Sequence, residues 1–232
     1  MDKRHERRAG FYWVDDKPYI TVTNVLKIID KPALRYWYGK EVYRAVTLNP
    51  GIGEREALSE PYKSSGKAKD RGTAVHDIVE AWKNIGEVAG KKGPFQGYAK
   101  AFESWLGDNR VKVEENERTV VSHKHRYAGT LDMLARINGD NLLTVIDVKT
   151  GKDLYPEVHL QLSAYRHALE EQGVEVKGTA AVLLREDGTY KYETGQDRLK
   201  GFLAAKALTE ELDKERLIKF GYLDDCQKGL FE

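Results

Sequence analysis

Residues 141–149, Asn-Leu-Leu-Thr-Val-Ile-Asp-Val-Lys, decide the fold. The segment is rich in β-branched residues and follows the turn-forming run Asn138-Gly139-Asp140-Asn141, so it reads as the second strand of a hairpin. Side chains alternate across a strand, so Val145, Asp147 and Lys149 share one face while Ile146 and Val148 point into a core. A carboxylate and an amine are thus presented together at a strand end, just before Thr150-Gly151. An exposed ion pair on a sheet edge would account for that much. The strand before it, 129–137 (GTLDMLARI), adds Asp132 among apolar neighbours. Antiparallel pairing about Gly139-Asp140 sets Asp132 opposite Asp147, or diagonal to it if the register slips by one, and facing Cβ atoms lie ~5 Å apart. Two carboxylates that close repel unless neutralised. A divalent cation with oxygen ligands answers this and leaves positions for water and phosphate. Lys149 beside them suits a phosphate or an attacking water.

The same logic extends outward along the chain. Pro156 suits the start of a helix ending at Gly173, and on it Gln161 and Tyr165 are spaced i, i+4 and share a face. Upstream, a helix expected over residues 65–83 carries His76 and Glu80 at the same spacing. A single helical histidine is more often structural, but here it accompanies a carboxylate pair. Strands are expected at 111–122, 127–137, 142–149, 174–184 and 189–193, and helices at 95–106 and 196–219, after a break at Gly90–Pro94. Residues 11–23 read as a hairpin, and 24–46 as two helices broken near Lys31-Pro32. The ordering gives an α/β (α+β mixed) fold: a central mixed sheet flanked by helices, with an N-terminal helical elaboration. The division is residues 1–64 as hairpin and helical elaboration, and 65–232 as core with a C-terminal helix. Residues 123–126 (HKHR) read as a polar turn. Trp37, Trp82 and Trp105 fall on helices and read mostly as core.

Composition narrows the class. The 232 residues are 41% apolar and 32% charged, which is ordinary for a globular protein. No apolar run exceeds about five residues, far short of the roughly 20 needed to span a bilayer, so no membrane association is expected. The basic start MDKRHERR has no apolar stretch after it, which argues against a signal peptide and for an intracellular, cytoplasmic protein. The net charge of +1 conceals an asymmetry, with 19 Lys and Arg against 13 Asp and Glu in residues 1–100. That leaves room for a nucleic-acid face. Cys226 is the single cysteine, which forbids an internal disulfide or a cysteine-held iron–sulfur cluster.

Four stretches in order, RGTAVH (71–76), GTLD (129–132), DVKTGK (147–152) and QLSAY (161–165), resemble the PD-(D/E)XK nuclease superfamily. The closer resemblance is to its RecB-like branch. The segment 20–42 (ITVTNVLKIIDKPALRYWYGKEV) is similar to the N-terminal helices of phage-type and mitochondrial-genome-maintenance-type exonucleases of that branch. The resemblance implies a restriction-endonuclease-like core. It makes Asp132, Asp147 and Lys149 catalytic, with His76, Asp132, Asp147 and the Val148 carbonyl as ligands of one or two Mg²⁺ or Mn²⁺ ions. Gln161 and Tyr165 become supporting or DNA-contacting residues, with Glu117 and Glu80 as further candidates. By their charge, Lys63, Lys67, Lys69 and Arg71, which lead into the His76 helix, and Lys152 are candidate phosphate contacts, though the first four read equally as a solvated helix start. Some relatives hold an iron–sulfur cluster with four cysteines, which this chain lacks. The expected activity is metal-dependent hydrolysis of DNA from ends in recombination, repair or replication, in a chain of phage type. The expected partner is single-stranded DNA or an end with a single-stranded region. A structure-selective endonuclease and a catalytically inactive nucleic-acid-binding module share the same motifs and stay open.

Overall fold

The computed structural model describes residues 6–85 and 93–224. Cys226, the first five residues and most of the expected break at Gly90–Pro94 lie outside them. Among the described residues eight strands form one mixed sheet: β1 (Glu6–Arg8), β2 (Phe11–Val14), β3 (Lys17–Thr21), β4 (Lys112–Ser122), β5 (Tyr127–Arg136), β6 (Leu143–Lys149), β7 (Val176–Leu184) and β8 (Tyr190–Thr194). Their order is β1-β2-β3-β5-β6-β7-β8, with β4 paired to β5. The contacts β3–β5 and β6–β7 are parallel and the rest antiparallel.

The helices are α1 (Val22–Val25), α2 (Pro32–Leu48), α3 (Glu54–Ile85), α4 (Gln96–Asp108), α5 (Glu157–Glu171), α6 (Leu199–Leu212) and α7 (Lys214–Lys219), with a 3-10 turn at Leu26–Ile28. Apart from α2, which lies along α3, they cover the sheet in two layers, as a sheet apolar on both faces requires. On one face Leu134, Val145 and Ala181 pack with Leu162 and Tyr165 of α5 and Phe202 of α6. On the other, Met133, Ile146, Val148 and Val182 pack with Val75 and Val79 of α3 and Phe102 and Trp105 of α4. Val145 and Ile146 therefore enter different cores, as strand alternation requires. No helix among the described residues is long and apolar enough to cross a membrane.

Four local readings need correction. A strand at Glu6–Arg8 precedes the expected hairpin and pairs along β2. The helix expected from residue 65 begins at Glu54, so the division at residue 64 lies within it. Ser64, Ser65 and Gly66 disfavour helix locally, and Pro61 removes one backbone donor, but α2 lies alongside. There Ser64 donates to Glu41 at 3.1 Å and the rings of Tyr38 and Tyr62 meet at 5.5 Å. The closing helix divides at Asp213, whose N–H bonds back to Thr209 and whose carbonyl accepts from Leu217. Neither Gly nor Pro marks that break. Trp105 is fully buried, whereas Trp37 and Trp82 are half-buried.

Candidate active site

One edge of β5 is shared by two strands. Ile20 and Thr21 of β3 pair with Tyr127 and Ala128, and β6 pairs with Met133, Leu134 and Ala135. Among the described residues no strand takes that edge between Gly129 and Asp132. Here β3 and β6 part, and the sheet opens into a fork. The hairpin register is the expected one: Met133 faces Ile146 and Leu134 faces Val145. The ladder stops there, one residue before the carboxylate pair. In its place the Val148 N–H donates to Asp132 Oδ2 at 2.7 Å. The side chain of Asp132 has taken the bond that a strand carbonyl would otherwise accept.

The opposite edge of β5 is interrupted at the same position. Asn116 faces Met133 and Arg118 faces Leu131, so continuity sets Glu117 opposite Asp132, yet that pair is missing from the ladder. Glu117 has φ +49°, in the left-handed region that a bulky L-residue rarely adopts. Such strain persists where surrounding structure holds it, and it clusters at functional sites. Alternation along β5 also breaks here. Tyr127 and Leu131 enter the core beneath α5, while Met133 and Ala135 enter the core beneath α3 and α4. The strand thus rotates about its own axis at Asp132.

This distortion brings three side chains together. His76 on α3, Glu117 on β4 and Asp132 on β5 each offer a ligand atom, all within 4.8 Å of one another. His76 Nδ1 stands 3.7 Å from Asp132 Oδ1. An imidazole and two carboxylates suit a borderline or hard divalent cation such as Mn²⁺ or Mg²⁺. Burial, and next the Asp132 carboxylate, push the Glu117 carboxyl above its usual pKa, with His76 opposing.

Asp147 lies behind that trio, 1% exposed. Its Oδ1 accepts from Gln161 Nε2 at 3.1 Å, and Gln161 Nε2 also donates to the Tyr165 hydroxyl at 3.1 Å. Its Oδ2 is buried in ionic contact with Lys149 Nζ at 2.5 Å, without the alignment of a hydrogen bond. Burial raises the Asp147 pKa to about 6; Lys149 opposes the rise and Asp132 adds to it. Burial pulls the Lys149 pKa down, but Asp147 and Asp132 outweigh it and the net shift is upward. Lys149 therefore stands as an ammonium ion. Tyr165 is fully enclosed, and burial raises its phenol well above the usual value.

The glycine of the 129–132 motif has a steric reason. A Cβ on Gly129 would lie 2.4 Å from Cε1 of Tyr165. Only a bare backbone lets the Tyr165 ring settle on β5 and carry Gln161 to Asp147.

The trio opens into a cleft of about 720 Å³. Lys69, Thr73, Asp77 and Glu80 of α3 form one wall, and Arg7, Tyr12, Thr21 and Thr23 of the N-terminal hairpin and α1 form the other. Glu80 lines the cleft without joining the trio. Tyr12 is fastened to the floor by a 2.6 Å hydrogen bond between its hydroxyl and that of Thr130. Sequence reasoning missed Arg7, Tyr12, Thr73 and Asp77; tertiary pairing alone delivers Arg7 and Tyr12, whereas Thr73 and Asp77 share the helix face of His76 and Glu80, and that spacing is the signal that could have found them. Of the expected phosphate contacts, Lys69 reaches the cleft. Lys67 is exposed further along α3, and Lys63 pairs with Glu60. Arg71 is half-buried and near enough to Tyr98 to oppose the burial-driven rise of that phenol. Lys152 lines a neighbouring groove. Val148 touches the site through its N–H.

No family model and no curated protein matches the chain. Among solved structures, it is similar to an alkaline exonuclease (LHK-Exo) from Laribacter hongkongensis, 15% identical over 85% of this chain and 93% of that one, with a TM-score of 0.41. The same exonuclease in complex with dAMP is 15% identical over the same shares, with a TM-score of 0.39. A third structure, SSO0001, is 16% identical over 90% of this chain and 79% of that one, with a TM-score of 0.41. At these identities and scores the likeness carries no weight for function.

Proposed function

We propose that the protein is a divalent-metal-dependent nuclease that hydrolyses phosphodiester bonds in DNA, working from ends. The observation that carries the reading is the fork itself. His76, Glu117 and Asp132 converge where two ladders are interrupted on either side of Asp132, with the Asp147–Lys149 pair directly behind. A protein with no use for that constellation gains nothing from a strained glutamate opposite an aspartate.

The donor set fits Mn²⁺ or Mg²⁺, with His76, Glu117 and Asp132 as the holding residues and Asp147 one layer behind. A cation there supplies charge neutralisation for a phosphate and lowers the pKa of a water. The chain's own groups do the rest. Lys149 keeps its proton and places positive charge where charge builds on the phosphate. Gln161 and Tyr165 fix the orientation of Asp147, and through it Lys149. The Val148 N–H fixes one oxygen of Asp132, leaving the other toward His76. Lys69 and Arg7 at the walls supply sequence-independent contacts to a DNA backbone. Walls on both sides favour a strand lying along the cleft, and action at ends is what the resemblance of the motifs implies.

The test is incubation with Mg²⁺ or Mn²⁺ on end-labelled linear and covalently closed DNA, single- and double-stranded. Loss of linear substrate with survival of circles is expected. Comparable cutting of circles would favour an endonuclease, and no cutting of any substrate would sink the nuclease reading.

A further inference from the structure

The cleft does not end at the trio. A second cavity, of about 670 Å³, shares Thr23 and Gln161 with it and runs past Lys27 and Ile28. A third, of about 780 Å³, shares residues 29–31, Leu34 and Glu157 with the second. Together they make one groove leading from the site.

Its walls are the chain's own continuations of the cleft walls. On one side the path runs from Thr23 through the 3-10 turn into α2, ending at Trp37 and Lys40. On the other it runs from Lys149, at the end of β6, through Lys152 and Tyr155 into α5. The far cavity is faced by Trp37, by Tyr155 (41% exposed) and by Pro156.

Charge distinguishes this groove from an ordinary apolar furrow. It holds Lys27, Lys31, Arg35, Lys40 and Lys152 against Asp30 and Glu157. Both acids are neutralised in place: Asp30 by Arg35 at 2.6 Å and Glu157 by Lys31 at 2.9 Å. Among the described residues, Lys40 and Lys152 have no acidic partner. Aromatic side chains beside unpaired ammonium groups, in a groove that shares residues with the one beside the proposed phosphodiester site, match one kind of occupant. Bases stack on aromatic rings whatever their sequence, and lysines follow the backbone.

We infer that this groove holds several nucleotides of one DNA strand beyond the cleavage site, with bases stacked on Trp37 and Tyr155 and phosphates set against Lys40 and Lys152. This rests on the nuclease reading and extends it. The strand is single, because paired bases offer no free faces to stack. Affinity should rise as an oligonucleotide grows long enough to fill the groove as well as the cleft.

The experiment is fluorescence anisotropy with oligothymidylates of 4 and 12 nucleotides, in low salt without divalent metal. It uses the full chain and the variants Tyr155→Ala, Lys40→Glu/Lys152→Glu and Trp37→Ala. Tyr155, Lys40 and Lys152 are exposed, so their variants should fold; thermal melting checks Trp37→Ala. The wild type should bind the 12-mer much more tightly than the 4-mer. Tyr155→Ala should lose about 5- to 100-fold for the 12-mer and far less for the 4-mer. The charge-reversal variant should also flatten the salt dependence. If the wild type binds and cuts DNA but these variants hold the 12-mer like the wild type, the groove assignment falls and the nuclease reading stands. If the wild type neither binds nor cuts DNA, both fall.

Discussion

Asp147 holds a carboxylate where water cannot reach it; Lys149 offsets most of the cost, with His76 and the Gln161 amide adding to it. Its pKa climbs from 3.8 to about 6 on folding. An acid raised in this way stays protonated longer in the folded chain than in the unfolded one. Its contribution to stability therefore falls as pH rises through the window between those values. Asp147→Asn removes that dependence. In metal-free protein the variant should gain on the wild type by about 1–3 kcal/mol between pH 4 and pH 7, roughly 2–4 °C in Tm for each kcal/mol. Parallel melting curves at the two pH values check this, and a constant gap between the proteins would refute the burial argument. For activity, Asp132→Ala, Asp147→Ala and Lys149→Ala should each lose about a thousandfold or more, and the triple variant little beyond that, because the groups act as one unit. His76→Ala should first lose any advantage of Mn²⁺ over Mg²⁺, since imidazole suits manganese better. An unchanged metal profile in that variant would leave His76 a structural residue.

At the level of elements, much of the site was legible because a hairpin turn fixes register. Asn138–Asn141 announced the turn, and the pairing of Met133 with Ile146 follows from it. What no turn announces is where a ladder stops. The bond from Val148 to Asp132, the rotation of β5 and the left-handed Glu117 are responses to tertiary packing, and no local pattern encodes them. Glu117 was thus a minor candidate in the sequence although it sits in the trio. The start of α3 was obscured by Pro61 and Gly66, whose local preferences yield to packing against α2. The Gly129–Tyr165 contact offers an element-scale test. Gly129→Ala places a methyl 2.4 Å from the Tyr165 ring, so α5 must shift away from β5. We expect about 1–3 kcal/mol of destabilisation. Cleavage should fall further than stability accounts for, because Gln161 moves with Tyr165. Tm and single-turnover rate measured on the same preparation separate the two effects.

Across the whole molecule, the cleft joins elements remote in sequence: hairpin and α1 on one wall, α3 on the other, β5 beneath. A cation that binds this assembly and not the unfolded chain stabilises all of it, by about 2.7 kcal/mol at a hundred times its dissociation constant. Mn²⁺ should therefore raise Tm by several degrees in the wild type and scarcely at all in Asp132→Ala. The shared edge of β5 carries a consequence for how the protein comes into being. Ile20 must find Tyr127, and Thr209 of α6 reaches back to the carbonyl of Val25, so one wall of the cleft is built from contacts that close very long loops. Such contacts form late, because the entropy of closure must be met before they return anything. The hairpin of β5 and β6 is local and should close early, so both motif carboxylates should stand at its open end before the cleft around them exists. During refolding, helix and strand signals should recover ahead of cleavage, and the chain should pass through a well-ordered stage that cannot yet cut.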